Sequence, residues 1–400
     1  MDSTRHRRAG AHGRTIAMGL AALAALGALV TAGPAERAPA PADRATPSRA
    51  PDPPAAAGTE PGTRGSRIAA EPCPRETLRV ARMPYVIDMT RCDPRSALLE
   101  GPNGLGAVVP ADGSSVAASS LGTAPGESMR TLVVRVDLAR KLVVVSDQEP
   151  GGPRDAPGGP LDASGGPAAR EPETVRAVAA SPAPGTPAPA VAPIPACKDA
   201  AYRRDGAPLP SARRGRAVLK WWYYPGDGRV RRLSVAQQKR AFTLGVRIAV
   251  EGRNNCRLGR IAVRQSLMGH TWRPPGVISS GACGLADGRN VRGWMRFDQG
   301  EAMLGLTCKW FRRGKVIEGD VALNASGVTW TTGSGRCRGD TYDAVGVAAH
   351  ENLHHMGLAH VDGAAHRNLT MFPAVGACEF HWRTLGRGDF LGLKRYYGTR

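Results

Sequence analysis

Four of the nine histidines in this 400-residue chain fall within eleven residues, HENLHHMGLAH (350–360). On an α-helix, residues four apart stack on one face with their Cβ atoms about 5–6 Å apart. His350 and His354 can therefore deliver two imidazole nitrogens to one ion, at roughly 2.0–2.1 Å each. Glu351 adjoins the first of them, too close in sequence to join the same coordination readily, yet placed to reach a water on the ion as a general base must. Gly357 can take the left-handed turn that stops a helix, which lets the chain reverse and bring His360 to the ion from another side. Three neutral histidines leave the fourth tetrahedral position open, and that opening separates a catalytic zinc from a structural one. The five fixed positions of HExxHxxGxxH arise by chance on the order of 10⁻⁷ times per start position at ordinary residue usage. The competing reading, a helix of satisfied core histidines, needs neither the glutamate nor the glycine. His355 faces away from the ligand pair, which points to a surface or supporting place, and His366 falls in a loop with no role assigned.

Such a site needs a helix to carry it and a sheet to hold the helix. The helix is expected from near Thr341 to Gly357. AVLKWWYY (217–224) reads as a first strand closed by the turn PGDG, and SVAQ (234–237) has the form of a capping box, predicting a second helix through about Val250. RIAVRQ (260–265), GWMRF (293–297) and EGDVALN (318–324) are strand candidates, and a last helix is expected from Asp389 to about Tyr397. Strand, helix, three strands and two helices predict an α+β fold, a twisted, mostly parallel sheet with helices against it.

Upstream, basic residues RHRR (5–8) precede the apolar run IAMGLAALAALGALV (16–30), and VTA (30–32) offers small residues for cleavage. This reads as a secretory signal over 1–32; the run is short of the roughly 20 residues that span a bilayer. Residues 33–70 and 149–195 are rich in Pro, Ala and Gly and are expected to be disordered. Between them, 71–148 is expected to be a small β-rich segment, with strand-like LRVARMPYVIDM (78–89) and a hairpin of TLVVRV (131–136) and KLVVVS (141–146). The last domain expected is 196–400. Eight cysteines in an exported chain point to disulfides; Cys73 and Cys92 lie upstream and the other six from Cys197 onward, so both parts can pair internally.

The net charge is +20, and from Cys197 onward 33 Lys and Arg face 15 Asp and Glu. Such a surface favours anionic partners, including cell-surface polymers, or else reflects an even spread of arginine over a solvated face. No nucleic-acid-binding motif is present, and no membrane partner is expected after signal cleavage.

HENLHHMGLAH resembles the extended zinc motif of the metzincin metallopeptidases, and LTMFP (369–373) is similar to their Met-turn in its matrixin-like form. DFLGLKRYYG (389–398) resembles the helix that closes matrixin catalytic domains, and VIEGDVALN (316–324) resembles the strand before their active-site helix. The likeness runs from about Ala217 to Gly398 and is strongest from Val316 onward. It implies a secreted zinc endopeptidase of bacterial type, acting on peptide or protein substrates, with zinc ligands His350, His354 and His360, the base Glu351, and Met371 packed beneath the metal. It also implies that Val321, Ala322, Leu323 and Asn324 lie on an edge strand that pairs with extended substrate. One zinc ion is the implied cofactor, and calcium is left open by the sequence.

The chain departs from that family at several points. His270 is the one histidine between Cys197 and the motif, so no second histidine-bound zinc is expected; the stretch from His360 to Met371 is long; and Pro373 stands where other metzincin branches carry tyrosine. A Cys337–Cys378 disulfide is expected to brace the active-site segment. TRCDPR (90–95) faintly resembles the prodomain cysteine of latent matrixins, but a structural Cys73–Cys92 bridge is the stronger expectation. The alternative function is a basic, wall- or polyanion-binding secreted protein with a non-catalytic zinc site.

Overall fold

The computed structural model describes Cys73 and residues 76–123, 130–147, 191–212, 217–226, 229–333, 335 and 337–400. The expected signal and the stretch 33–70 lie outside the described residues, as does the linker up to residue 190. Nine strands form the main sheet: β1 (Tyr85–Asp88), β2 (Ser115–Gly122), β3 (Arg130–Asp137), β4 (Leu142–Ser146), β5 (Ala217–Tyr224), β6 (Val263–His270), β7 (Val291–Met295), β8 (Met303–Arg312) and β9 (Lys315–Asn324). Their spatial order is β6-β5-β7-β9-β8-β2-β3-β4-β1. β6, β5, β7 and β9 run parallel to one another, and every pairing from β9 through β8 to β1 is antiparallel.

The α+β class expected from the sequence is present, with strands on several sheets and three α-helices among the described residues. The mostly parallel arrangement holds only from β6 to β9, and the whole sheet is mixed. Strand-like composition reports that a segment is extended, not which neighbour it finds or in which direction. The same limit explains the upstream segment. Its strands are there, including the hairpin of β3 and β4, but they build no sheet of their own: β2 pairs with β8 along its length. A second, five-stranded sheet likewise joins Thr77–Arg79, Leu98–Glu100 and Gly106–Val108 to Ala282–Cys283 and Val277–Ile278. The strand expected over 78–89 is split between the two sheets, with Pro84, which lacks an N–H to donate, in the gap.

Two expectations on β9 and β8 are corrected. Val321, Ala322, Leu323 and Asn324 do not lie on an edge. They pair with Arg292–Met295 of β7 on one side, and Val321 to Leu323 pair with Thr307, Leu306 and Gly305 of β8 on the other. β8 itself was not among the expected strands. Its sequence, MLGLTCKWFR, is buried at every position but the last, so it lacks the polar alternation that marks a strand with one wet face.

Three helices, α1 (Val235–Glu251), α2 (Ala344–His355) and α3 (Arg387–Tyr397), complete the frame. α1 starts where expected: the Ser234 hydroxyl accepts from the Gln237 N–H at 3.3 Å, and the Gln237 side chain accepts from the Ser234 N–H at 2.8 Å. It crosses α2 at close quarters, since a Cβ on Gly245 would stand 2.5 Å from the Ala348 Cβ. α2 begins at Ala344, capped by Asp343, which accepts from the Val345 and Gly346 N–H groups at 3.1 Å each. Arg383 grips the same carboxylate with two nitrogens, at 2.6 and 2.7 Å. All twelve residues of α2 are buried, as befits a helix covered on every side.

α3 lies across the end of α2. The Tyr397 hydroxyl donates to the Met356 carbonyl at 2.7 Å and accepts from the Leu209 N–H at 3.0 Å. Disulfides join Cys73–Cys92, Cys197–Cys256, Cys283–Cys308 and Cys337–Cys378, so both pairings expected from the sequence are present. With Cys92 bridged to Cys73, no thiol there can reach the histidines. Among the described residues, no helix is long and apolar enough to cross a membrane.

Candidate metal centre

α2 presents His350 and His354 on one face, and the chain after Gly357 (φ 99°) returns His360 to them. The three Nε2 atoms stand 3.1, 3.1 and 3.2 Å from one another. Ligands at zinc distances in a tetrahedral arrangement are about 3.3 Å apart, so the spacing suits one shared ion. The hydrogen bonds on the far side of the rings say which nitrogens hold protons. His350 Nδ1–H donates to the Thr370 carbonyl at 2.6 Å, and His354 Nδ1–H donates to the Leu358 carbonyl at 2.9 Å. Both rings therefore turn an unprotonated Nε2 inward, which is how supporting carbonyls prepare imidazoles for a metal.

The donors fit a cation on electrostatic grounds as well. His350 and Glu351 are 0% exposed, His354 1% and His360 6%. Burial holds His350 at about 4, and burial with the neighbouring imidazoles holds His354 and His360 well below the usual histidine range. The neutral Nε2 lone pairs of His350 and His354 face each other at 3.1 Å with no proton between them and repel, and a bound cation would turn that repulsion into coordination. The described His350, His354 and His360 group can hold a metal ion.

The Glu351 side chain points toward β8. The Thr307 hydroxyl lies 2.5 Å from its Oε2 and 2.9 Å from its main-chain carbonyl, and the single hydroxyl proton serves the shorter contact. Oε1 is buried without a partner. Burial pushes the carboxyl up to about 8 against the opposing pull of Thr307; a cation at the histidines would draw it back down. Gly305 makes room for this group, because a Cβ there would stand 2.6 Å from Oε1.

Further residues support the site without appearing in the motif. Asp389, at the start of α3, accepts from the Thr370 and Met371 N–H groups at 2.8 and 3.1 Å and from the Gly386 N–H at 2.9 Å. It thereby fixes the carbonyl that orients His350. Met371 is 1% exposed, and its carbonyl accepts from the N–H of Val361, next to His360, at 2.9 Å. Trp382 stacks on the His350 ring with centroids 5.1 Å apart and planes at 16°.

The remaining sequence candidates fall elsewhere. His355 is outside the triad, as expected, but it is fully buried, not on the surface: its Nδ1 meets the Arg292 guanidinium. Arg292 also donates to the Asn352 side chain at 3.1 Å and the Gly319 carbonyl at 2.7 Å. His366 pairs with Asp199 at 2.8 Å. Val321 to Asn324 lie in the sheet beneath α2, where the Asn324 carbonyl accepts from the Trp330 indole at 2.7 Å.

Thr307, Gly305 and Trp382 carried no sequence signal, since a lone threonine, glycine or tryptophan is common in any core. Asp389 stood in plain view as the start of the last helix, and an acid in a first helical turn is explained well enough by the helix alone. Set against known protein families and curated proteins, the sequence matches none.

Proposed function

We propose that this chain is a secreted zinc-dependent endopeptidase of metzincin, matrixin-like type, cutting peptide bonds with Glu351 as general base. The observation that carries the reading is the combination of three converging Nε2 atoms, two of them unprotonated by their Nδ1–H bonds, with a buried carboxyl that keeps one oxygen unpartnered. A helix of satisfied core histidines needs neither. A zinc ion bound there would supply Lewis acidity and lower the pKa of water to about 7. His350, His354 and His360 would hold the ion, and the Thr370 and Leu358 carbonyls would keep their rings aimed. Glu351 Oε1 takes the proton from the attacking water and passes it to the departing amine nitrogen, while Thr307 keeps Oε2 in place. Water attacks directly, so no side chain becomes acylated. The signal-like amino terminus and four disulfides support export.

The test is Glu351→Gln in the zinc-loaded protein, assayed on a denatured protein substrate with and without chelator. Retention of one zinc per chain with turnover reduced at least about 1000-fold is expected from loss of the base; normal turnover would refute the reading. The rival, a basic polyanion-binding protein, rests on the surplus of Lys and Arg. It would be favoured by salt-sensitive binding to an anionic polymer without any cleavage.

A further inference from the structure

At the β6 end of the main sheet the protein exposes what it buries elsewhere. Half of the large apolar side chains that stand exposed among the described residues belong to β5, β6 or the segment that follows β6, led by Trp272 at 88%, Leu285 at 57% and Met268 at 43%. One exposed leucine means little, but such side chains gathered on one surface mark a place of contact. On β5, Leu219, Trp221 and Tyr223 point into the core with α1, so Val218, Lys220 and Trp222 face the other way. Arg264 and Ser266 of β6 stand opposite Val218 and Lys220. The Trp222 ring lies beside Gly269, where a Cβ would be 3.6 Å from it, and the Arg289 guanidinium sits 5.2 Å from its centroid. Arg273, next to Trp272, reaches Asp287 at 3.5 Å, two residues beyond Leu285.

The charge on this surface has one sign. Residues 217–226 and 260–290 hold five lysines and arginines, and Asp287, already engaged by Arg273, is their one carboxylate. Among the described residues Lys220 and Arg264 have no acidic partner. Nor is the segment that carries Trp272 slack. The Thr271 N–H donates to the Tyr223 carbonyl at 2.9 Å, the Arg273 N–H donates to the Thr271 hydroxyl at 3.1 Å, and Pro274 and Pro275 follow. Farther along, the Asp287 N–H donates to Glu318 at 3.0 Å and the Val291 N–H to Asp320 at 2.7 Å. Buried carboxylates of β9 thus tie the segment down at its far end. Trp272 is held out from a fixed backbone, so little ordering cost remains when it meets a partner.

We propose that this surface docks on an anionic lipid bilayer, with Trp272, Met268 and Leu285 entering the headgroup region and Lys220, Arg264 and Arg289 meeting lipid phosphates. An indole is at home where water gives way to acyl chain, and basic side chains beside it add attraction to an anionic leaflet. A soluble polyanion would satisfy the cations and leave the apolar side chains in water. Strand pairing with a protein partner is discouraged by Arg264 and by the register break between Leu267 and Gly269, both of which blunt the β6 edge. A folded acidic protein would need a pocket cut for the projecting indole, whereas a bilayer yields to it. Docking of this kind is peripheral and needs no spanning helix, so it adds a partner that the sequence did not suggest. It is independent of the metal centre and of peptide hydrolysis.

The test is co-sedimentation of the full chain with vesicles of phosphatidylcholine alone or in equal mixture with phosphatidylglycerol. Wild type should bind the mixed vesicles and not the neutral ones. Trp272→Ala should lower the partition coefficient at least about tenfold, and Arg264→Glu at least about fivefold. Arg91→Glu makes the same change of charge beyond β1, at the opposite edge of the sheet, and should stay within about twofold of wild type. Brominated acyl chains should quench tryptophan emission in wild type and not in Trp272→Phe, which should still bind. If Trp272→Ala does not fold, the quenching and Arg264→Glu decide the matter. Equal binding by wild type and Trp272→Ala, or Arg91→Glu weakening binding as much as Arg264→Glu, would overturn the proposal. So would a wild type that ignores vesicles yet binds inorganic polyphosphate through Trp272, which would assign the surface to a soluble polyanion. Cleavage of a soluble peptide should be the same in every form, so failure of the endopeptidase reading and failure of lipid docking are told apart.

Discussion

α2 is held differently on its two flanks. On one, Leu358, Thr370, Met371, Trp382 and Asp389 all follow the helix within about three dozen residues, and they hold the ligand rings through hydrogen bonds and one ring stack. On the other, Thr307 and Gly305 of β8 and Leu121 of β2 precede the helix and surround the Glu351 carboxyl. The three histidines therefore depend on chain that follows α2, whereas Glu351 depends on how the strands that precede it pair. Metal binding and turnover should accordingly be separable by mutation.

His354→Ala is expected to have the largest effect. Zinc affinity should fall more than about 100-fold, beyond the 10–100-fold typical for loss of a supporting partner, with metal content per chain after dialysis as the readout. A full zinc complement in this variant would erase the distinction between the flanks. Asp389→Ala comes next, because it leaves three buried N–H groups without an acceptor, at roughly 1–3 kcal/mol each. Urea unfolding should show a loss of about 3 kcal/mol or more, and zinc affinity should drop as the Thr370 carbonyl loosens. A stable variant with weakened zinc would show that Asp389 orients the site without holding the fold.

Gly305→Ala probes the distant flank. Its Cβ forces the Glu351 carboxyl aside, so turnover should fall about tenfold, about 1.4 kcal/mol on the barrier, while zinc content is unchanged. Lost zinc with intact turnover would invert the comparison.

The smallest expected effect lies in the sheet under both flanks. Burial pushes Glu318 up to about 7 and Asp320 up to about 8, from about 4 in an unfolded chain. Between those values the folded chain retains protons that the unfolded chain has lost. Their contribution is therefore whole below about pH 4 and is lost as the pH climbs through 7 to 8. Relative to wild type, Glu318→Gln should gain stability between pH 5 and pH 8 in paired urea titrations. A constant difference across that range would refute the assignment.

The same division decided what the sequence made legible. The histidine spacing, the capping box at Ser234 and the hairpin of β3 and β4 are local patterns, and the structure has all three. β2, with its small residues SVAASSLG, and β8, buried almost throughout, carry neither alternation nor strong strand propensity. Their pairing across nearly 190 residues of chain joins the upstream strands to the main sheet, and β8 itself takes the side of β9 that was expected to be an edge. The burial of His355 was hidden for the same reason, since its partner Arg292 comes from β7.

That arginine also sets the rotational phase of α2. Its guanidinium engages Asn352 and His355 on the helix and the Gly319 carbonyl in the sheet, so α2 is keyed against turning about its own axis. A turn of one residue would be about 100° and would carry His350 and His354 out of reach of His360. The aim of the ligands is thus set by the sheet before any ion arrives, and capture of metal need not wait for the helix to find its orientation.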